Sequence, residues 1–151
     1  MRIAFVAGLL LTACGGATVA LVSPNEIVGD AIPNSLTETP GNPERGRRIF
    51  SDRDAGHCVL CHEVSGSDVE FQGNIGPSLT GVAGRLNLGQ LRLRVVDYQL
   101  VQPGALMPSY YRNHDLHQVQ DAFRGATILS AQDIEDVVAY LGDLKAEDDN
   151  G

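Results

Sequence analysis

The chain has 151 residues, with 11 Lys plus Arg against 19 Asp plus Glu and a formal charge of −8. That length suits one domain, and 43% apolar with 20% charged residues is a globular composition. The acid excess argues against nucleic acid and anionic membrane surfaces, which select a concentrated basic face.

At the amino end Arg2 precedes an apolar run from Ile3 to Leu11, and apolar character returns over Thr18 to Val22. This is the pattern of an export signal over residues 1–20, too short in its unbroken part to span a bilayer. Two processing sites fit. Cleavage after Ala20 leaves the small residues Thr18 and Ala20 before the cut. Alternatively Leu11-Thr12-Ala13-Cys14 forms a lipoprotein box with Cys14 lipidated. The expected location is the periplasm, with a membrane-anchored lipoprotein as the alternative.

Residues 21–41 carry Pro24, Gly29, Pro33 and Pro40 and are expected to form an extended arm. Residues 42–145 form the predicted domain, and 146–151 an acidic tail. Asn42-Pro43-Glu44 opens a helix to about Ser51: Asn as N-cap, Pro first, an acid in the first turn. Gly46 and Phe50 share one face of it. The stretch from Gly66 to Gly89 is Gly-rich and is expected to be mostly loop. Leu88 to Val101 fits both strand alternation and helical spacing, and its length favours helix. Asp115 and Gln118 resemble a capping box before a short helix bearing Leu116, Val119 and Phe123, closed by Gly125. Ser130 and Asp133 form a clearer box. It opens a last helix with Ile134, Val137, Val138, Leu141 and Leu144 in one stripe and Tyr140 beside it. The expected class is all-α. Helices this short are marginal alone and need a common object to pack against. With no Trp and only 5% aromatics, the core must find bulk elsewhere.

Cys58-Val59-Leu60-Cys61-His62 is the c-type haem attachment pattern. Two thiols three residues apart reach the two vinyl groups of one porphyrin, and the following imidazole faces the iron. A thioredoxin-like redox pair prefers a strand–helix–strand context that the sequence lacks. Zinc needs four ligands, and a fourth could come only from His57, His114 or His117. A plain structural disulfide is the third alternative. Export, short helices and an aromatic-poor core favour haem, which also supplies the missing bulk.

For the second axial ligand, Met1 leaves with the signal, so Met107 is the candidate, 45 residues after His62 and followed by Pro108. Core filler is the common role of a lone Met, but Met107 sits in a Pro- and Gly-bounded loop. His114 and His117 are the alternatives and would give a bis-His iron. A ligating His usually donates its other N–H to a carbonyl, and the Pro77 carbonyl is expected to accept from His62 Nδ1. Arg85, Arg92 and Arg94 are candidates to pair with haem propionates; for Arg92 and Arg94 a solvated face is the alternative.

Over Asn42 to Leu144 the chain resembles the class I cytochromes c. The resemblance rests on Gly46, Phe50, Cys58-Val59-Leu60-Cys61-His62, Gly76-Pro77-Ser78-Leu79-Thr80-Gly81 with Gly84-Arg85, Met107-Pro108 and Tyr140. It implies short helices around one covalent haem c, with the first and last helices crossing at Gly46, Phe50 and Tyr140. The loop Asp52 to Gly56 is longer than in short family members.

Gly73-Asn74-Ile75-Gly76-Pro77-Ser78-Leu79, Leu91 to Asp97, Met107-Pro108-Ser109-Tyr110-Tyr111-Arg112 and Ile128 to Leu141 are also similar to the SoxX family. SoxX is the monohaem subunit of the SoxAX complex, an L-cysteine S-thiosulfotransferase of sulfur oxidation. The resemblance implies a heterodimer with a SoxA-type haem subunit that couples thiosulfate to a cysteine of a SoxYZ-type carrier. Substrate chemistry then lies on the partner, with no catalytic residue on this chain, which passes electrons to a downstream acceptor. Tyr110 and Tyr111 are candidate partner contacts, with packing over the haem as the alternative. The competing functions are a free-standing periplasmic cytochrome c and a haem enzyme or gas sensor with an open iron.

Overall fold

A computed structural model describes residues 21–145. The export signal, its Cys14 box and the acidic tail lie outside the described residues. Three α-helices carry the fold: α1 (Pro43–Ser51), α2 (Leu88–Asp97) and α3 (Ala131–Asp143). Short 3-10 turns lie between them, and the one β pairing among the described residues is an isolated Val28–Ala31 bridge. The domain is all-α.

Local signals start all three helices. The Asn42 side chain accepts from Arg45 N at 2.9 Å, ahead of Pro43. Asn87 and Gln90 bond reciprocally at 3.0 Å at the head of α2. Ser130 and Asp133 do the same for α3. Buried Ile134, Val137, Val138 and Leu141 form the inner stripe of α3, each contributing roughly 1.5–3 kcal/mol by leaving water.

α1 crosses α3 where Gly46 meets the Asp136 carbonyl and Tyr140 Cβ, so close that no side chain fits at 46. Beside that crossing the Phe50 and Tyr140 rings pack tilted, with centroids 5.5 Å apart. On the outer side Arg45 pairs with Asp133 and Asp136.

Residues 21–41 are irregular, with one 3-10 turn at Pro24–Glu26, and they strap the domain itself. Ile32 is fully buried, and its N–H donates to Gly89 O at 2.9 Å. Leu36 N donates to Glu135 Oε1 at 2.9 Å, and Asn42 N to Asp136 Oδ1 at 2.8 Å. Arg92 completes this strap: it holds Glu135 through Nε at 2.7 Å and Nη2 at 2.9 Å, and donates to Ile32 O at 2.7 Å. Arg92 is only 3% exposed, so it neither reaches a propionate nor lies on a solvated face. Arg94 is bound to Asp30 Oδ2 at 2.9 Å and serves the same strap. Both arginines are held by partners distant in sequence, which spacing could not show.

Two expected helices differ. The Leu88–Val101 helix ends at Asp97, whose carboxylate accepts from Gln99 N at 3.1 Å and opens a separate 3-10 turn, Tyr98–Leu100. Aspartate competes for backbone bonds in this way. The Asp115–Gly125 helix does not form. Asp115 and Gln118 both take positive φ, 50° and 58°, which no helix start allows, and only the turn Asp121–Phe123 remains.

Candidate functional site

The end of α1 leads directly into the site. Asp52 Oδ1 accepts from Asp54 N at 2.8 Å and Ala55 N at 3.1 Å, and Asp52 O accepts from His57 N at 2.9 Å. The longer loop thus closes on its own first residue. His57, with φ 53°, turns the chain into the 3-10 turn Cys58–Leu60. Cys61 N and His62 N both donate to Cys58 O, at 3.1 and 2.9 Å. Buried Val59 holds this turn to the core. One tight turn therefore presents both thiols and then the imidazole.

Both cysteines are free and half-buried. Cys58 Sγ donates to Gly56 O at 3.3 Å, and burial pushes its thiol up to about 12. A redox pair requires the opposite, a lowered thiol. Among the described residues no group of three or more His, Cys, Asp or Glu gathers as a metal shell, so zinc finds no complete ligand set there.

The imidazole is fixed from two sides. His62 Nδ1 lies 2.7 Å from Pro77 O and donates to it, which leaves Nε2 as the free ring nitrogen. Gly76 backs the ring, and a Cβ there would stand 2.6 Å from Nδ1 and 2.8 Å from Nε2. The segment 72–79 lies along the attachment turn through Gly73 N to Val59 O and Gly76 N to Cys61 O, both 2.8 Å. Arg85 closes the turn after Pro77, donating to Thr80 O at 2.8 Å and Ser78 O at 2.9 Å.

Met107 is half-buried in a loop packed against the core. Buried Asp97 pins that loop: it accepts from the Ser109 hydroxyl and pairs with Arg112 Nη1 at 3.2 Å. Tyr111 N donates to Val96 O at 3.1 Å. Tyr110 brings the loop to the attachment turn, its ring centroid 6.3 Å from that of His57. Burial, then the neighbouring Cys58, raises the Tyr110 hydroxyl above its usual range. At 4% exposure Tyr110 is packed inside and is not a surface contact for a partner; Tyr111 is half-buried. His114 is half-buried with Nδ1 unpartnered, and His117 is exposed. The role of Asp97 in this site was not read from sequence, and of the two roles open to Tyr110 its burial excludes the exposed contact. An acid directly after apolar Val95-Val96 was the only hint of Asp97.

Two thiols on one turn, a glycine-backed imidazole with Nε2 free, and a thioether on a loop tied to the same turn make a donor set that fits haem c.

The family model for cytochrome c matches residues 43–145. The chain belongs to the cytochrome c family. A chain in the crystal structure of SoxXA from P. pantotrophus matches with 41% identity and a TM-score of 0.74. The match covers 82% of this chain and 98% of that one. The chain is thus SoxX-like, its function is electron transfer, and its cofactor is a covalently bound haem c. The c-type cytochrome SorU from Sinorhizobium meliloti matches at 24% identity with a TM-score of 0.44, over 70% of this chain and 92% of that one. It carries no argument about the site. No curated protein matches.

Proposed function

We propose that this chain is the electron-accepting monohaem subunit of a periplasmic SoxXA-type assembly. The observation that carries the reading is 41% identity to a chain of SoxXA over nearly all of that chain's length. Cys58 and Cys61 would hold the porphyrin as thioethers, and His62 Nε2 and Met107 would be the residues that bind its iron. Bound there, haem c supplies a one-electron centre, and His–Met ligation raises its potential.

The chain's own residues set the conditions. The Pro77 carbonyl holds the His62 Nδ1 proton, which fixes the tautomer and strengthens the imidazole as a ligand. Asp97 holds the Met107 loop in place through Ser109 and Arg112. Arg85, on the turn after Pro77, would be the residue that pairs with a propionate. In the assembly, thiosulfate is coupled to a carrier cysteine of SoxYZ type on the SoxA-type partner. This chain takes the released electrons singly and hands them to a downstream acceptor.

Gentle purification from the source periplasm, followed by haem staining of a denaturing gel, tests the reading. A second haem polypeptide at fixed stoichiometry is expected. One haem band from a monomer would overturn the obligate-subunit reading and leave a diffusible carrier. Met107→Ala should abolish the low-spin Met-ligated spectrum; an unchanged spectrum would remove Met107 from the iron.

A further inference from the structure

The end of α2 holds the Met107 loop on both sides of the methionine. Ahead of it, Gln99 Nε2 donates to Ala105 O at 2.9 Å. Behind it, the Ser109 hydroxyl donates to Asp97 Oδ1, and Arg112 Nη1 pairs with Asp97 Oδ2 at 3.2 Å. Tyr111 N adds its bond to Val96 O at 3.1 Å. The stretch 96–99 thus grips positions 105, 109, 111 and 112, and Met107 lies between the two grips.

Asp97 joins them. Its Oδ1 also accepts from Gln99 N at 3.1 Å, so one carboxylate orients both sides of the hold. Starting the 3-10 turn Tyr98–Leu100 needs only that last bond, which a neutral, exposed Asn or Ser supplies as well. Asp97 is instead 3% exposed, and burying a carboxylate is costly unless partners surround it. Two of its three partners, Ser109 and Arg112, come from the loop of Met107 itself. The buried charge therefore serves that loop, beyond what the helix end requires.

The loop depends on such bonds. From Val101 to Gln120 the chain contains no helix whose backbone ladder could fix Met107. A thioether is also a weak, uncharged donor. Imidazole suits iron well and competes wherever the thioether is free to leave.

We propose that Asp97 is a positioning residue that keeps the Met107 thioether on the haem iron and so closes the iron to external nitrogen donors. It acts through Ser109, Arg112 and Gln99, without touching the ligand. The proposal rests on the iron ligands proposed above. It accounts for α2 ending at Asp97 although the apolar spacing continues to Val101.

The test titrates the ferric holoprotein with imidazole and follows the visible band of the methionine–iron bond. Asp97→Asn keeps the size of the side chain and removes its charge. It should bind imidazole at least about tenfold more tightly than the wild type, and its reduction potential should fall as the methionine bond loosens. Gly46→Ala weakens the α1–α3 crossing without touching this loop and measures the effect of stability alone; its imidazole affinity should match the wild type. Unchanged affinity in Asp97→Asn, or an equal gain in Gly46→Ala, would overturn the positioning role. Ser109→Ala deletes the hydroxyl that Asp97 holds and serves if Asp97→Asn does not fold. It should shift imidazole affinity in the same direction, and a wild-type value would overturn the proposal. If the wild-type holoprotein shows no methionine–iron band, the ligand reading fails first and takes this proposal with it.

Discussion

His62 Nδ1 donates to the carbonyl oxygen of Pro77 across 2.7 Å, bridging 15 positions of sequence. Proline holds its φ within a narrow range, so the acceptor is presented by a stiff turn. The ring's tautomer and plane are thereby set before any ligand arrives.

That relationship depends on Gly76. Gly76→Ala would drive a methyl into the imidazole, whose ring atoms stand within 2.8 Å of the Cβ position. The expected result is a fall of about tenfold or more in correctly ligated holoprotein. Haem yield and the visible spectrum of the reduced protein measure it. A normal spectrum at normal yield would show that the ring is free to move.

The α1–α3 crossing predicts a second loss. Gly46→Ala puts a methyl into the Asp136 carbonyl and Tyr140 Cβ. Both belong to the body of α3, so the helices must part. The expected cost is about 3 kcal/mol, read from denaturant midpoints of the holoprotein. A change below about 1 kcal/mol would mean that the crossing is loose.

The buried pair Arg92–Glu135 predicts strong coupling. Glu135→Gln leaves the Arg92 guanidinium buried without its countercharge and should cost about 3–5 kcal/mol. The joint change Arg92→Met/Glu135→Leu removes both charges and should cost less than Glu135→Gln alone. A double-mutant cycle measures this, and additive losses would contradict the pairing.

Acid stability has a defined sign. Burial pushes Asp133 up, but Ser130 and Arg45 outweigh it and hold the carboxyl below its ordinary 3.8. Asp30 is held below 3.8 chiefly by its hydrogen bond from Arg94, then by Gln90. Folded values below the unfolded ones mean stability present above about pH 4 and lost as pH falls through the folded values. Melting temperature should therefore drop as pH is lowered below about 4. Arg45→Gln should make that drop shallower, since Asp133 then sits nearer its ordinary value. An unchanged acid slope would rule Arg45 out as its cause.

Much of the fold was legible because its signals are local. Asn42-Pro43 and the Ser130–Asp133 box start helices through bonds within one turn, and those helices stand where the sequence places them. The Asp115–Gln118 pattern looked the same in sequence and failed. Both residues take left-handed backbone in a loop whose course is set by what it packs against. Arg92 failed for a related reason: its partners Glu135 and Ile32 lie 43 and 60 positions away.

The sequence by itself determined the starts of the first and last helices and the spacing of two thiols and an imidazole on one short turn. Those depend on covalent geometry and on hydrogen bonds a few residues long. Tertiary structure alone decided that Arg92 is buried, that Asp97 pins the Met107 loop, and that Tyr110 packs that loop against the attachment turn. Each of these relationships is set by groups far apart in the chain, and only packing brings them within bonding distance.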